Sequence, residues 1–224
     1  VIEGIVAAMA DGESQLGMSS HLIMSFLRHL SEEDAFKTLD QAEPYLDHLL
    51  GVGLDSSELG HPPSKFERVF AAARARGLKC FAHGGEEGPP EYVWECLDLL
   101  KVDRLDHGNR SLEDDALVTR LASDEMVLTV CPLSNLKLCV VDDLTNHPIR
   151  KMLQKGLKAT INSDDPSYFG GYLTDNYIET ANALDLTIDE LAQLARHSFE
   201  GAYMDEQRRT ALLAEIAQSV TDLG

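Results

Sequence analysis

Residues 78–86 read Leu-Lys-Cys-Phe-Ala-His-Gly-Gly-Glu, a short apolar run that ends in polar side chains. Runs of this kind recur along the chain, and their starts lie roughly 25 to 30 residues apart, about one strand plus one crossover helix. The runs are nearly continuous in apolar residues, as is typical of parallel strands buried on both faces. The pattern predicts six strands: His21–Leu27, Leu50–Asp55, Leu78–His83, Arg104–His107, Val127–Cys131 and Lys158–Ser163.

Amphipathic segments lie between these runs and predict helices. Ser31 followed by three acidic residues is typical of a helix start, and that helix is predicted to run to about Leu50. Strands that alternate with helices predict an α/β fold with a parallel sheet, and both a (β/α) barrel and a doubly wound sheet fit this alternation. The chain has no GxGxxG after its first strand and no GxxxxGK[ST], which disfavours the nucleotide-binding sheets.

Composition narrows the classes of partner. The 224 residues include 38 acidic and 19 basic side chains, a formal net charge of −19, which disfavours nucleic acid as a partner. The chain contains no apolar stretch long enough to span a membrane and no signal-peptide pattern, so we expect no membrane association. Its four cysteines form no CxxC pair, which favours reduced thiols and a cytoplasmic location.

Polar side chains follow each predicted strand, and the carboxyl ends of parallel strands meet on one face, which in a barrel carries the active site. His83 is followed by two glycines and Glu86, so an imidazole suited to zinc stands near a carboxyl group suited to proton transfer. His107 ends the next strand and is a candidate general base. The other histidines, including His147 and His197, are predicted to lie in loops or on helix surfaces.

Two adjacent carboxylates, Asp164 and Asp165, follow the last predicted strand. Neighbouring negative charges repel each other when they are desolvated, and a cation beside them removes that cost. One carboxylate can then bind a metal while the other faces a substrate. The alternative is a helix N-cap, because Asp and Ser are good capping residues and Pro166 follows.

Four motifs in this order resemble the adenosine/adenine deaminase family of metal-dependent (β/α) barrel hydrolases. They are His83-Gly-Gly-Glu86, Asp106-His107-Gly108, Cys131-Pro-Leu-Ser134-Asn135 and Ser163-Asp164-Asp165-Pro166. The resemblance extends from about Val1 to about Gln218. The amino-acid sequence of residues 51–58 and 86–91 is more similar to the adenine deaminase branch of the family than to the branch that uses nucleosides.

The resemblance implies a zinc-dependent purine aminohydrolase that converts adenine to hypoxanthine and ammonia in purine salvage. His83 and Asp164 would be zinc ligands, Glu86 would protonate the purine N1, and His107 would orient or deprotonate the attacking water. This role requires Glu86 to carry a proton at neutral pH, which burial against the base favours.

The resemblance also assigns substrate contacts. Asp165 would bond to the purine N7, and Glu58 stands near a position where the adenosine enzymes carry glycine. We therefore expect Glu58 to contact the N9 edge of free adenine and its charge to exclude a ribose. Adenosine is the alternative substrate. Phosphorylated substrates such as AMP are disfavoured, because the polar strand ends carry many acids and few Lys or Arg.

The match departs from the family pattern at one point: the chain has no His-x-His, which supplies two further metal ligands in the family. Six strand–helix units, taken as strands 3 to 8, also fall short of the eight of a closed barrel. We therefore expect 1–224 to be one barrel domain that lacks its N-terminal portion. By itself the chain is expected to be inactive and poorly soluble, and a natural chain of this length would be a non-catalytic remnant or a subunit that needs a partner.

Overall fold

All six predicted strands are present in the computed structural model, which describes residues 1–223. Each lies within one or two residues of its predicted position, and each is followed by helical segments, so the prediction of an α/β fold is confirmed. The strands are β1 (Leu22–Leu27), β2 (Leu49–Asp55), β3 (Lys79–Gly84), β4 (Arg104–His107), β5 (Val127–Val130) and β6 (Lys158–Ile161).

The chain divides into two compact units. The first comprises residues 1–83 and 95–103, and the second comprises residues 84–94 and the chain from residue 104 onwards. The helices of the first unit are α1 (Ile2–Leu16), α2 (Glu32–Ala42) and α3 (Glu67–Ala75), with short 3-10 turns at Glu43–His48 and Pro63–Phe66 and a π-helical turn at Cys96–Leu100. The prediction of a single domain over 1–224 stays a prediction.

In the first unit, β1, β2 and β3 are parallel neighbours in chain order. Leu27, the last residue of β1, is paired with Asp55, the last residue of β2, so the segments that follow both strands begin at the same edge of the sheet. Gly51 allows β2 and β3 to approach closely, because a Cβ at this position would lie 2.4 Å from the Lys79 carbonyl oxygen. Phe26 and Phe70 are buried and pack edge to face in the core.

Helix α3 has no side-chain cap of its own at Phe66, its N-cap residue. Glu32, in the first turn of α2, supplies one instead: its Oε1 accepts from the backbone N–H groups of Arg68 at 2.9 Å and Val69 at 3.0 Å. The Glu32 carboxylate also accepts from Arg68 Nε at 2.7 Å. A buried carboxylate of one helix therefore satisfies the first free N–H groups of another.

The helix predicted from Ser31 begins as expected, since the Ser31 hydroxyl accepts from the Asp34 N–H at 3.1 Å. Its predicted end was wrong. The α-helix ends at Ala42, and a 3-10 turn over Glu43–His48 leads into β2. Pro44 stands at the start of that turn, where its ring and its missing N–H disfavour continuation of an α-helix.

In the second unit, β4, β5 and β6 are again parallel neighbours in chain order. Two of its helices, α6 and α8, directly follow β5 and β6 and were not predicted from the sequence. The helices are α4 (Pro90–Glu95), α5 (Asp115–Ser123), α6 (Pro132–Lys137), α7 (Ile149–Gln154), α8 (Pro166–Phe169), α9 (Leu173–Leu184), α10 (Ile188–Gly201) and α11 (Glu206–Leu223), with 3-10 turns at Asn109–Glu113 and Leu144–Asn146.

None of the helices within residues 1–223 has both the length and the apolar character that crossing a membrane requires.

Candidate active site

A buried ion pair lies at the carboxyl edge of the first unit's strands. Arg28, directly after β1, is fully buried, and its Nη1 lies 3.3 Å from Oε1 of Glu58, whose side chain is 1% exposed. The same guanidinium donates to the carbonyl oxygens of His83 at 2.9 Å and His61 at 3.0 Å. The Glu58 carboxylate therefore stands beside a positive charge, a pairing that was not predicted from the sequence.

His83 lies in β3, one residue before the end of the strand, and its side chain is partly exposed. Its Nε2 lies 3.5 Å from Oδ1 of Asp55, the last residue of β2. The Arg28 guanidinium that pairs with Glu58 also binds the main chain of His83, so two predicted site residues share one positioning side chain.

In the second unit, Glu86 follows a sharp backbone turn. Gly85 has φ 71°, and a Cβ at this position would lie 2.7 Å from Cγ2 of Val93, so both the conformation and the space require glycine. Glu86 is buried, and its Oε1 accepts from Asn135 Nδ2 at 2.8 Å. Gly85 therefore permits the turn that brings Glu86 into this buried position.

His107 lies beside Glu86. Its side chain is 2% exposed, and its Nδ1 lies 3.4 Å from Glu86 Oε1. His107 has φ 68° and Gly108 has φ 76°, so two successive residues adopt the left-handed conformation at the end of β4. Residues other than glycine rarely adopt this backbone conformation, so the strain lies at His107. Backbone strain of this kind is concentrated at functional sites. The structure thus brings together the two predicted catalytic residues, Glu86 and His107.

Asp164 and Asp165 are exposed after β6. Asp164 has φ 54°, again left-handed. One ligand atom each from Asp164, His107 and Cys131 lie within 4.8 Å of one another. Asp165 occupies the N-cap position of α8, but its side chain accepts no capping hydrogen bond there, so the capping alternative does not explain this carboxylate.

The cluster of His107, Cys131 and Asp164 contains atom types that bind zinc in proteins. Imidazole nitrogen and carboxylate oxygen, supplied by His107 and Asp164, are ordinary zinc ligands. Burial raises the pKa of the Cys131 thiol well above its usual value, and the negative charge of Asp164 adds to the shift. Cys131 is therefore a neutral thiol at neutral pH, and it donates to the Thr129 carbonyl with a separation of 3.6 Å.

Three buried side chains, Asn109, Asn135 and His147, form a hydrogen-bonded group next to Glu86 that was not predicted from the sequence. Asn135 Oδ1 accepts from Asn109 Nδ2 at 2.7 Å, and His147 Nε2 lies 3.2 Å from the same oxygen. All three are buried, and burial lowers the pKa of His147 to about 4. The sequence placed His147 and His197 in loops or on helix surfaces, and the surface exposure that this implies was wrong, because both side chains are buried. His197 Nδ1 lies 3.0 Å from the Ala159 carbonyl oxygen.

A family model described as adenosine deaminase matches residues 1–219. The chain belongs to the adenosine deaminase family. It is 64% identical over 216 residues to an adenine deaminase of Sphingopyxis alaskensis, covering 96% of this chain and 63% of the relative. It is 61% identical over 218 residues to an adenine deaminase of Acinetobacter baylyi, covering 97% of this chain and 66% of that relative. The chain thus spans a little less than two thirds of the length of these relatives.

Two solved structures are also similar to the chain. An adenine deaminase from Arthrobacter aurescens matches 98% of this chain and 67% of its own with a TM-score of 0.95 and 44% identity. An amidohydrolase from Burkhoderia ambifaria, solved with bound Zn, matches 98% of this chain and 62% of its own with a TM-score of 0.89 and 32% identity. These matches confirm both the recognised family and the (β/α) barrel class that the motifs predict, of which six strand–helix units are present.

Proposed function

We propose that the protein catalyses zinc-dependent hydrolytic deamination of adenine to hypoxanthine and ammonia, as a step of purine salvage in the cytoplasm. The observation that carries this proposal is the buried pair of Glu86 and His107, with 3.4 Å between Oε1 and Nδ1. A carboxyl group and an imidazole in contact, shielded from water, are suited to moving two protons in one reaction. The names of relatives that are 64% and 61% identical support adenine as the substrate.

The proposal assigns the metal to His83 and Asp164. Imidazole and carboxylate are donors that zinc accepts, and each of these residues stands at the carboxyl end of a strand. Zinc bound in the Burkhoderia amidohydrolase supports the choice of metal. When bound, zinc acts as a Lewis acid and makes hydroxide available at neutral pH.

The chain's own residues carry the proton transfers. Glu86, as an acid, gives its proton to N1 of the purine, which withdraws electrons from the ring and favours attack of water at C6. His107 Nδ1 lies 3.4 Å from Glu86 Oε1. In the proposed tautomer His107 carries its proton on Nδ1, and the lone pair of Nε2 takes a proton from the attacking water. The C6–N bond then breaks, and the amino group leaves as ammonia with the proton that His107 took from the water. The proton from Glu86 stays on N1 of hypoxanthine, and the proton of the C6 hydroxyl group returns to the Glu86 carboxylate as the C6 carbonyl forms.

Two further contacts complete the proposed site. Asp165 accepts a hydrogen bond from the N7–H form of adenine or, if it is itself protonated, donates one to N7. Glu58 contacts the N9 edge, where free adenine has no sugar. Because the Glu58 carboxylate lies against Arg28, its position is held by a buried ion pair.

The test is ammonia release from adenine by the complete gene product that contains residues 1–224. Glu86→Gln keeps the size of the side chain but removes the acid, so we expect turnover to fall about 10²–10⁴-fold, the usual contribution of general acid–base catalysis. Glu91→Gln is the matched control, because Glu91 is exposed in the first turn of α4. Equal turnover in the Glu86 and Glu91 variants would refute the role of Glu86.

Adenosine is the second candidate substrate, and it is tested in the same assay. A higher kcat/KM for adenosine than for adenine would overturn the substrate assignment and leave the chemistry in place. No ammonia from either compound would favour a non-catalytic protein.

The polypeptide of residues 1–224 by itself is proposed to be inactive and poorly soluble. The proposal gives this polypeptide only two zinc ligands, His83 and Asp164, whereas catalytic zinc is generally held by three protein ligands. Purified residues 1–224 should therefore release no ammonia from adenine in the presence of added zinc. Measurable ammonia release from this polypeptide would refute the assignment of the metal ligands.

A further inference from the structure

A chain of hydrogen bonds runs through the second unit to Glu86. His147 Nε2 lies 3.2 Å from Asn135 Oδ1, and Asn135 Nδ2 lies 2.8 Å from Glu86 Oε1. Asn109 Nδ2 joins at the centre, 2.7 Å from Asn135 Oδ1. All four side chains are more than nine-tenths buried, so water cannot readily replace any of these bonds.

The proton on His147 can be assigned from its neighbours. Its Nδ1 accepts from the backbone N–H of Ile149 at 3.3 Å, so in the neutral imidazole the hydrogen is on Nε2. Nε2 therefore donates to Asn135 Oδ1. Burial supports the neutral form, because it holds the pKa of His147 near 4.

These donors fix the orientation of the Asn135 amide. Its Oδ1 receives two hydrogens, one from Asn109 and one from His147, and its NH₂ group faces the Glu86 carboxyl. The His147 N–H decides this orientation, because a flipped Asn135 amide would place its NH₂ group against another donor in a buried site.

We propose that Asn135 is a positioning residue, held by His147 and Asn109, that makes Oε1 of Glu86 the hydrogen-bond acceptor and so places the acid proton of Glu86 on Oε2. A carboxylic acid accepts best at its carbonyl oxygen, and the N–H of Asn135 selects Oε1 for that role. This inference rests on the proposed function, in which Glu86 protonates the purine.

The consequence is a defined direction of proton delivery. Without the Asn135 N–H, the proton can reside on either oxygen, and a proton on Oε1 points towards Asn135 rather than towards the substrate. The loss would affect the chemical step more than the binding of adenine, because binding depends on other contacts such as those proposed for Asp165 and Glu58.

The experiment compares three variants of the complete gene product that contains this chain. Asn135→Leu removes the donor to Glu86 and keeps the branching and the number of heavy atoms of the side chain. His147→Leu removes one of the two donors that hold the amide. His147→Gln retains an N–H that can reach Asn135 and is the conservative rescue. Asn146→Leu is the control, because Asn146 is exposed and is hydrogen-bonded to Asp142.

We expect Asn135→Leu to lower kcat for adenine about tenfold to hundredfold, less than the roughly 10²–10⁴-fold loss expected when a general acid is removed, while KM changes less than about twofold. His147→Leu should lower kcat in the same direction, and His147→Gln should recover most of the loss. A purely structural role would instead lower the fraction of folded protein and leave kcat per folded molecule unchanged. Melting curves measure the folded fraction of each variant, and Asn146→Leu shows the effect of an Asn-to-Leu change at an exposed position.

Nitrogen NMR of the imidazole provides a readout that does not depend on turnover. The inference requires the His147 proton on Nε2 and a protected side-chain amide at Asn135. A proton on Nδ1, a change in KM equal to that in kcat, or no rescue by His147→Gln would each overturn the role of Asn135. No ammonia from the unaltered gene product would instead refute the proposed function itself, which distinguishes the two failures.

Discussion

The buried His147 predicts that the protein loses stability in mild acid. Its pKa is lowered to about 4 in the folded chain, against 6.5 for an ordinary histidine, because burial disfavours the charged form. Between these two values the unfolded chain binds a proton that the folded chain refuses, so stability falls as the pH decreases through 6.5 and levels off below 4. The linkage relation gives a loss of about 2 kcal/mol between pH 7 and pH 5, and about 3 kcal/mol in full.

The assay is urea unfolding followed by circular dichroism at pH 7, 6 and 5, with the complete gene product that contains the chain. His147→Gln removes the titrating group and retains an N–H towards Asn135. We expect the variant to lose about 2 kcal/mol less than the unaltered protein over this pH range. His48→Gln is the matched control, because His48 is exposed.

Parallel pH dependence in the unaltered protein and in His147→Gln would refute the reasoning. Such a result would mean that His147 in the folded protein has the pKa of an ordinary histidine, because local opening exposes its side chain to water. The carboxylates whose pKa values are lowered, among them Asp114 and Glu190, titrate at still lower pH and contribute little above pH 5.

Three further predictions concern side chains around the proposed site. Glu58→Gly should raise kcat/KM for adenosine relative to adenine if the Glu58 carboxylate excludes a ribose, and an unchanged ratio in both Glu58→Gly and Glu58→Gln would contradict this role. Arg28→Met should cost about 3–5 kcal/mol in urea unfolding, because it leaves the buried Glu58 charge without the guanidinium; a loss below about 1 kcal/mol would show that the pair is dispensable. Gly85→Ala should cost about 1–3 kcal/mol, since the new methyl group would lie 2.7 Å from Val93 in a left-handed conformation, and a neutral result would contradict the close packing there.

Much of the framework could be predicted from local sequence. Continuous apolar runs predict buried strands, and the β1–β6 positions follow from them with small errors at the ends. The pairing of Glu86 with His107 also follows, because each stands after one of two successive strands of a repeating pattern. Local signals sufficed where the chemistry of a residue and its place at a strand end point the same way.

The supporting residues could not be predicted in the same way. His147 precedes a short helix with no distinctive local pattern, and only the packed structure shows that its Nε2 reaches Asn135, 12 residues away in the chain. The pair of Arg28 and Glu58 had a weak signal, since both follow strands that pair in parallel. A buried arginine next to a strand end requires a carboxylate partner, and Glu58 was the nearest candidate in the next loop.

The carboxylate that Glu32 lends to α3 couples two segments that are far apart in the chain. The amide hydrogens of Arg68 and Val69 are protected from exchange with solvent only while α2 holds Glu32 in place. Unfolding of α2 would therefore release the first turn of α3 as well, and the two helices should open and close as one cooperative segment. Hydrogen exchange at these two amides thus reports the integrity of a helix to which neither residue belongs.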